Sequence, residues 1–330
     1  MNRRRWLQSV KKLRRQVNSG KKVVIYPYGK MGKLLETFVT KRLRIDVAFV
    51  MDNFISRTNK AVYPLSFLNS LDTSEFVFLF ASTNSSLRKE LLNDLCKYVK
   101  KTQLIDFYGQ NRFLNSLYKF SRRWYMLGFL HSIKNERSTR VLDVGCGNAS
   151  AAYIKKVCDK VFYTGIDVGD YNQTDASLSA MDKYYVVSPE EFATKIAEMD
   201  TTEDYVISSH NLEHCNDPMA VLDAMCGSLK SGGKMYLAFP SEESSLFPPL
   251  GGTLNFYDDP THRNLLDFDE VIRKLKMNGM RILFKRKAYR PFFLRIIGRI
   301  NENAARSINH TMDGTWAYWG FESIIWAERK

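Results

Sequence analysis

Arg140-Val-Leu-Asp-Val-Gly-Cys-Gly-Asn-Ala-Ser150 decides how the rest of the chain is read. The β-formers Val141, Leu142 and Val144 surround an acid and lead into two glycines spaced G-x-G, and a helix-like segment from Ala149 to Val157 follows. In a parallel α/β sheet this order opens a ligand-sized gap at a strand's carboxyl end, facing a helix N-terminus. Gly145 and Gly147 carry no Cβ, so the backbone there turns tightly and comes close to a ligand. Asp143 is the discriminating residue. A pyrophosphate-binding loop uses backbone N–H groups and gains nothing from a carboxylate beside it. A ligand that is cationic at this point does.

Downstream, strands and helices alternate. Val161–Ile166 reads as a strand that ends in Asp167, 24 residues after Asp143. An acid about 20 residues past the glycines, at the next strand's end, is where two-strand nucleotide sites hold a ribose diol. Tyr184–Val187 reads as a third strand, and Ser188-Pro-Glu-Glu191 as a helix start. Tyr205–Ser209 is a fourth, running into His210-Asn-Leu-Glu-His214 and a helix from Pro218 to Leu229. Lys230-Ser-Gly-Gly233 stops that helix, and Lys234–Phe239 is a fifth strand. This alternation gives βαβ units and a parallel sheet. Phe268–Met277 reads as a helix capped by Asp267; Arg281–Phe284 and Phe321–Ala327 read as a closing antiparallel pair.

Taken together, D-x-G-x-G at Asp143–Gly147, Leu212-Glu-His214 with Asp217-Pro218, and the L-K-x-G-G turn at Leu229–Gly233 resemble the class I S-adenosylmethionine (SAM)-dependent methyltransferases over roughly residues 135–330. The resemblance implies a Rossmann-like, mostly parallel sheet ending in an antiparallel hairpin, with SAM as cofactor. It implies that Asp143, Gly145, Cys146 and Gly147 cradle the methionine part and that Asp167 and Val168 meet the ribose. Ser188 would neighbour the adenine, and His210, Asn211 and Leu212 would close the site from the fourth strand's end.

The net charge of +14 is unevenly placed. Residues 1–44 hold 14 Lys/Arg against Glu36 alone, so nearly the whole excess sits at the leading end. A nucleic-acid enzyme would more often carry that charge around its catalytic domain. Residues 2–18 read as a basic helix with Trp6, Val10, Leu13 and Val17 on one face. Such a helix suits an anionic membrane surface, and equally suits packing of its apolar stripe on its own protein. Residues 19–110 repeat a smaller strand–helix pattern. This resembles the small Rossmann-like domains attached to bacterial sugar-modifying enzymes, with Pro27 where the first fingerprint glycine would stand. Residues 111–138, with Phe113, Tyr118, Phe120, Trp124, Tyr125 and Phe129, read as a helical linker before the methyltransferase domain at 139–330. Five cysteines without C-x-x-C spacing argue for a reducing compartment, and no apolar run approaches a membrane span or a signal peptide. The expected location is cytoplasmic, with residues 2–17 and 290–300 as candidate contacts to the inner membrane surface.

A hydroxyl acceptor needs its proton removed, which calls for a base at the sheet's carboxyl edge. His214, His210, His262 and Asp258 are the candidates, with His262, in the loop Asp259-Pro-Thr-His262, the best of them. His210-x-x-Glu-His214 also matches an inverted zinc-protease motif. That motif needs a helix and a third ligand, and here a strand ends instead, so no residue is assigned to a metal. The domain pairing points to a sugar hydroxyl of a surface glycan or of its nucleotide- or lipid-linked precursor. Arg290 and Arg295 suit its phosphates. The rivals are an RNA methyltransferase that uses the basic arm, a non-catalytic SAM-binding scaffold and, against Asp143, an NAD-dependent sugar enzyme.

Overall fold

The computed structural model describes residues 3–82, 88–107, 124–148, 150–170, 173, 175–199 and 201–330. The chain divides into two compact units, residues 1–117 with 297–313, and residues 118–296 with 314–330. The expected boundaries ran in unbroken sequence; the return of residues 297–313 to the first unit is visible only in three dimensions.

In the first unit the strands β1 (Lys22–Tyr26), β2 (Val47–Met51), β3 (Val62–Tyr63), β4 (Phe76–Phe80) and β5 (Leu104–Asp106) form a sheet among the described residues. Its order is β3-β2-β1-β4-β5 and every pairing is parallel. That is the order of the first five strands of a doubly wound sheet. The helix Lys30–Thr37, continued by a π-turn over Phe38–Arg42, follows β1 closely. A Cβ on Gly32 would lie 2.4 Å from the Pro27 carbonyl oxygen, so only glycine allows this helix to start so near the strand. Asp52, past the end of β2, accepts hydrogen bonds from the Phe54 and Ile55 amides at 2.9 and 3.0 Å.

The basic helix forms at Arg3–Asn18. Its apolar stripe is occupied. Trp6 packs at 4.8 Å from the Phe38 ring and 4.9 Å from Phe107, and Leu13 is fully buried. Lys12 Nζ donates to the Leu104 carbonyl at 2.8 Å, fastening the helix to β5. Trp6 and Leu13 are thus taken up inside their own unit, while Leu7 beside them stays exposed.

In the second unit the strands are β6 (Arg140–Val144), β7 (Phe162–Asp167), β8 (Lys183–Val186), β9 (Glu203–Ser209), β10 (Leu229–Pro240), β11 (Met280–Arg286) and β12 (Glu322–Arg329). Among the described residues they form one sheet of order β11-β12-β10-β9-β6-β7-β8. β6 to β10 are mutually parallel, while β12 slots antiparallel between β10 and β11. Alternate residues feed two cores, as the period of two requires. Leu142, Val144, Val206, Met235, Leu237 and Phe239 join one, with Phe192, Leu222, Met225 and Val271 from covering helices. Val141, Tyr205, Ile207, Tyr236 and Ala238 join the other, with Phe129, Ala151 and Ile154. A sheet covered on both faces offers its ligands only the strand ends.

The helix starts follow from capping chemistry. Asp217 accepts from the Met219 and Ala220 amides ahead of the helix Pro218–Ser228, and Asp267 from the Glu270 amide ahead of Phe268–Met277. The aromatic linker, where described, is core. In the helix Trp124–His131, Phe129 is buried against Tyr205, Tyr236 and Trp326, and Tyr125 meets Phe284 and Tyr289. Phe113, Tyr118 and Phe120 lie outside the described residues. Among those described, no helix is long and apolar enough to cross a membrane.

Trp6→Ala is expected to destabilise the first unit by about 3–5 kcal/mol, the usual loss for a buried aromatic. Chemical denaturation measures it, and an unchanged midpoint would show that the stripe does not hold the helix in place.

Candidate active site

The carboxyl ends of β6, β7 and β9 meet at a cleft of about 820 Å³. Gly145 and Gly147 follow β6 with φ of 75° and 53°, a region that L side chains avoid. At Gly145 the restriction is doubled. A Cβ there would fall 2.4 Å from side-chain atoms of Asn211, which follows β9. The loop is further held by its amide donors. Gly145 N–H donates to the Ile166 carbonyl at 2.9 Å, and Gly147 N–H to Asp167 Oδ2 at 2.8 Å. The other oxygen of Asp167 accepts from the Val168 amide at 2.8 Å. Asp167 thus closes β7 at the cleft wall, and burial raises its pKa against those two bonds. Val168, Pro189, Glu190, Ala193 and Thr194 continue that wall.

The segment after β9 meets the loop after β10 along the same cleft. Arg263 and Asn264 amides both donate to the Glu213 carbonyl, at 2.8 and 3.1 Å, and Asn264 Nδ2 donates to the Cys215 carbonyl at 2.6 Å. These bonds bring His262 beside His214, with ring centroids 4.8 Å apart. The proton positions follow from the partners. His262 Nδ1 lies 2.6 Å from the Phe256 carbonyl oxygen, which can only accept, so Nδ1 carries the hydrogen. His214 Nδ1 lies 3.2 Å from the Thr261 carbonyl oxygen and 3.0 Å from Thr261 Oγ1. The Thr261 hydroxyl hydrogen goes to Asp259 Oδ1 at 2.6 Å, so there too Nδ1 donates. In each neutral ring Nε2 is therefore the nitrogen with the lone pair.

His210 is different. Its Nδ1 meets Glu213 Oε1 at 3.2 Å and its Nε2 meets Glu322 Oε1 at 3.0 Å, with Phe321 stacked at 6.1 Å. Burial lowers its pKa, but the bonds to Glu213 and then Glu322 outweigh this and carry it to about 9. It is an imidazolium at neutral pH. With φ at 55°, its backbone sits in the left-handed region, pinned by its N–H to the Ala238 carbonyl at 2.8 Å.

A family model described as a methyltransferase domain matches residues 120–284, half of the chain. The chain belongs to this methyltransferase family. A ubiquinone biosynthesis O-methyltransferase of Psychrobacter arcticus is 32% identical over 156 residues, covering 43% of this chain. The chain spans 57% of that relative's length. Among solved structures, a SAM-dependent methyltransferase from Archaeoglobus fulgidus is 18% identical, with a TM-score of 0.40, over 66% of this chain and all of that one. One from Mesorhizobium loti is 12% identical, with a TM-score of 0.45, over 64% of this chain and all of that one.

The cleft fits the SAM that the sequence resemblance implies. A glycine cradle that a Cβ would fill and a carboxylate at the adjacent strand end suit a nucleoside with an amino-acid tail. Of the expected cofactor residues, Gly145, Gly147, Asp167, Val168, His210 and Asn211 line the cleft. Four do not. Asp143 is buried behind the loop, where Ser150 and Tyr163 hydroxyls donate to its Oδ2 and burial lifts its pKa to about 6. It braces the loop from inside. Cys146 turns into the core, its Sγ 3.0 Å from where a Gly165 Cβ would stand. Leu212 is core, and Ser188 bonds its own helix start through Glu191.

Two expected catalytic residues also change role. His210 already holds its proton between two carboxylates and cannot act as the base. Asp258 Oδ2 accepts from the amides of Leu250, Leu254 and Asn255 at 3.1, 3.0 and 2.8 Å, so it ties the loop. Glu322 was not foreseen, since 112 positions separate it from His210; the wall residues Thr261 and Arg263 stand in and beside the Asp259–His262 run, and Asn216 stands between the Leu212-Glu-His214 and Asp217-Pro218 motifs. Glu213 carried a local signal, since it stands inside the Leu212-Glu-His214 motif.

His210 binds its proton more tightly folded than unfolded, so its contribution to stability is full below about pH 6.5 and lost as pH rises through about 9. Denaturant midpoints between pH 6 and 10 should fall over that window in the wild type, and less in Glu322→Gln. Equal slopes would remove the ion pair from the account.

Proposed function

We propose that the methyltransferase O-methylates a sugar hydroxyl of a glycan or of its activated precursor. The observation that carries this reading is the pair of imidazoles, each with an Nε2 lone pair: His214 lines the cleft, and His262, outside that lining, stands against it with ring centroids 4.8 Å apart. When bound, SAM supplies a methyl group on a sulfonium, with a neutral thioether as leaving group. What remains for the chain is to align the acceptor oxygen and lower the cost of its proton. Alignment contributes about 7–11 kcal/mol to such reactions. Histidine lone pairs at this point serve the activation of a hydroxyl.

The neighbouring wall favours a polyhydroxyl acceptor. Asn216, Asp217, Asp259, Thr261 and Arg263 make this part of the lining polar, with lone pairs and N–H groups beyond the bonds they make to Glu190, the helix start and one another. The relative's name is that of an O-methyltransferase of ubiquinone biosynthesis. It agrees with oxygen as the atom methylated.

A lipid-linked form of the acceptor is favoured by one surface feature. Phe292, Phe293 and Ile296 are 70, 74 and 44% exposed at the start of the helix Phe292–Ile308, with Arg295 exposed among them and no acid before Glu302. Aromatic side chains beside arginines suit the interface of an anionic bilayer. Flotation with anionic vesicles should recover the wild type and lose most of a Phe292→Ser/Phe293→Ser variant; equal recovery of both would exclude this face.

Asp167→Ala should weaken binding of SAM and of its demethylated product by at least about tenfold in calorimetry, the order expected for one charge-assisted hydrogen bond. His262→Ala should leave that affinity nearly unchanged and lower kcat on a glycan acceptor by about 10²-fold or more. Full turnover in the His262 variant would end its role at the acceptor.

A further inference from the structure

We propose that Glu213, His214 and His262 form a site for a divalent first-row transition cation of the zinc type, at the acceptor end of the cleft. One ligand-capable atom from each lies within 4.8 Å of the others. Two imidazoles and a carboxylate are a borderline donor set, suited to zinc, iron, cobalt or manganese rather than to magnesium or calcium, which take oxygen ligands. Proximity alone would not make a site, and two further features do.

The first is the orientation of the rings. Metal-binding histidines donate their other N–H to a carbonyl or carboxylate, which fixes the tautomer and the ring plane. His214 and His262 both do so, through Nδ1 to the carbonyls of Thr261 and Phe256. The second is Glu213. Its side chain is fully buried, Oε1 is bound to His210, and Oε2 has no hydrogen-bond partner among the described residues. A buried carboxylate oxygen left unpaired is costly, and a cation beside it removes that cost. Bonds of about 2.0–2.2 Å in tetrahedral geometry put donors about 3.4 Å apart, so the atoms now spread over up to 4.8 Å must close by more than about 1 Å. Side-chain torsions at two partly exposed histidines supply that movement.

The site shares the acceptor end with the reading above, and rests on it only for its role. With three protein ligands, positions stay open for an acceptor oxygen. The cation acidifies the hydroxyl it binds, whose proton passes to solvent. The acceptor's O–C bond then forms as the C–S bond breaks, and the electron pair of that bond remains on sulfur. The inverted zinc-protease pattern therefore misassigns one ligand: His262, not His210, completes the set.

The test uses the full chain stripped by chelator and titrated with Zn²⁺ in calorimetry and Co²⁺ in visible absorption, with no acceptor present. One tight cation per chain is expected, with the Co²⁺ bands of a nitrogen- and oxygen-ligated ion. His262→Ala and Glu213→Gln should each weaken Zn²⁺ binding by about 10–100-fold or more. His262→Ala, which should still bind demethylated SAM, shows that the loss is not unfolding. Absence of saturable binding, or the same affinity in the His262 variant, overturns the site. A cation bound at these residues in a protein inactive on every glycan would instead leave the site standing and remove the acceptor reading.

Discussion

The close approach of two strand ends governs this site. β6 turns at Gly145 within 2.4 Å of where a side chain would collide with Asn211 after β9. Only a residue without a Cβ, free to adopt positive φ, satisfies both demands. Once that contact is made, the Gly147 amide reaches Asp167 and the cleft has its floor and one wall. Parallel strands covered on both faces offer a ligand their carboxyl ends. Asp143 contributes from behind, as an acceptor for Ser150 and Tyr163.

The second determinant is electrostatic. His210, Glu213 and Glu322 join residues more than 100 positions apart, and place one positive charge between two carboxylates at the back of the cleft. That arrangement removes His210 as a base and fixes Glu213 with one oxygen committed and one not. The loop after β10 then delivers His262 to the same point, held by the Asp258 clamp and by bonds to the Glu213 and Cys215 carbonyls. A site of this kind is assembled from backbone bonds first and side-chain chemistry second.

Much of the second unit was legible because its signals are local. The strand at 140–144, the capped helices at Pro218 and Phe268 and the closing antiparallel pair follow from periodicity and capping residues that lie side by side in the chain. The basic helix was legible as an element but not in its role. Amphipathic spacing describes a face without saying what covers it, and here Phe38 and Phe107 do. For the same reason Asp258, which looked chemical in sequence, is a loop fastener in space.

Sequence alone determined the alternation of strands and helices, the glycine bend, the acid at the next strand's end and so the cofactor class, because each depends on residues within a few positions of one another. Tertiary structure alone decided which of the histidines keeps its proton, which carboxylates face the cleft and where residues 297–313 belong. Those outcomes depend on burial and on partners far away in the chain, and both are set only when the sheet and its loops have closed.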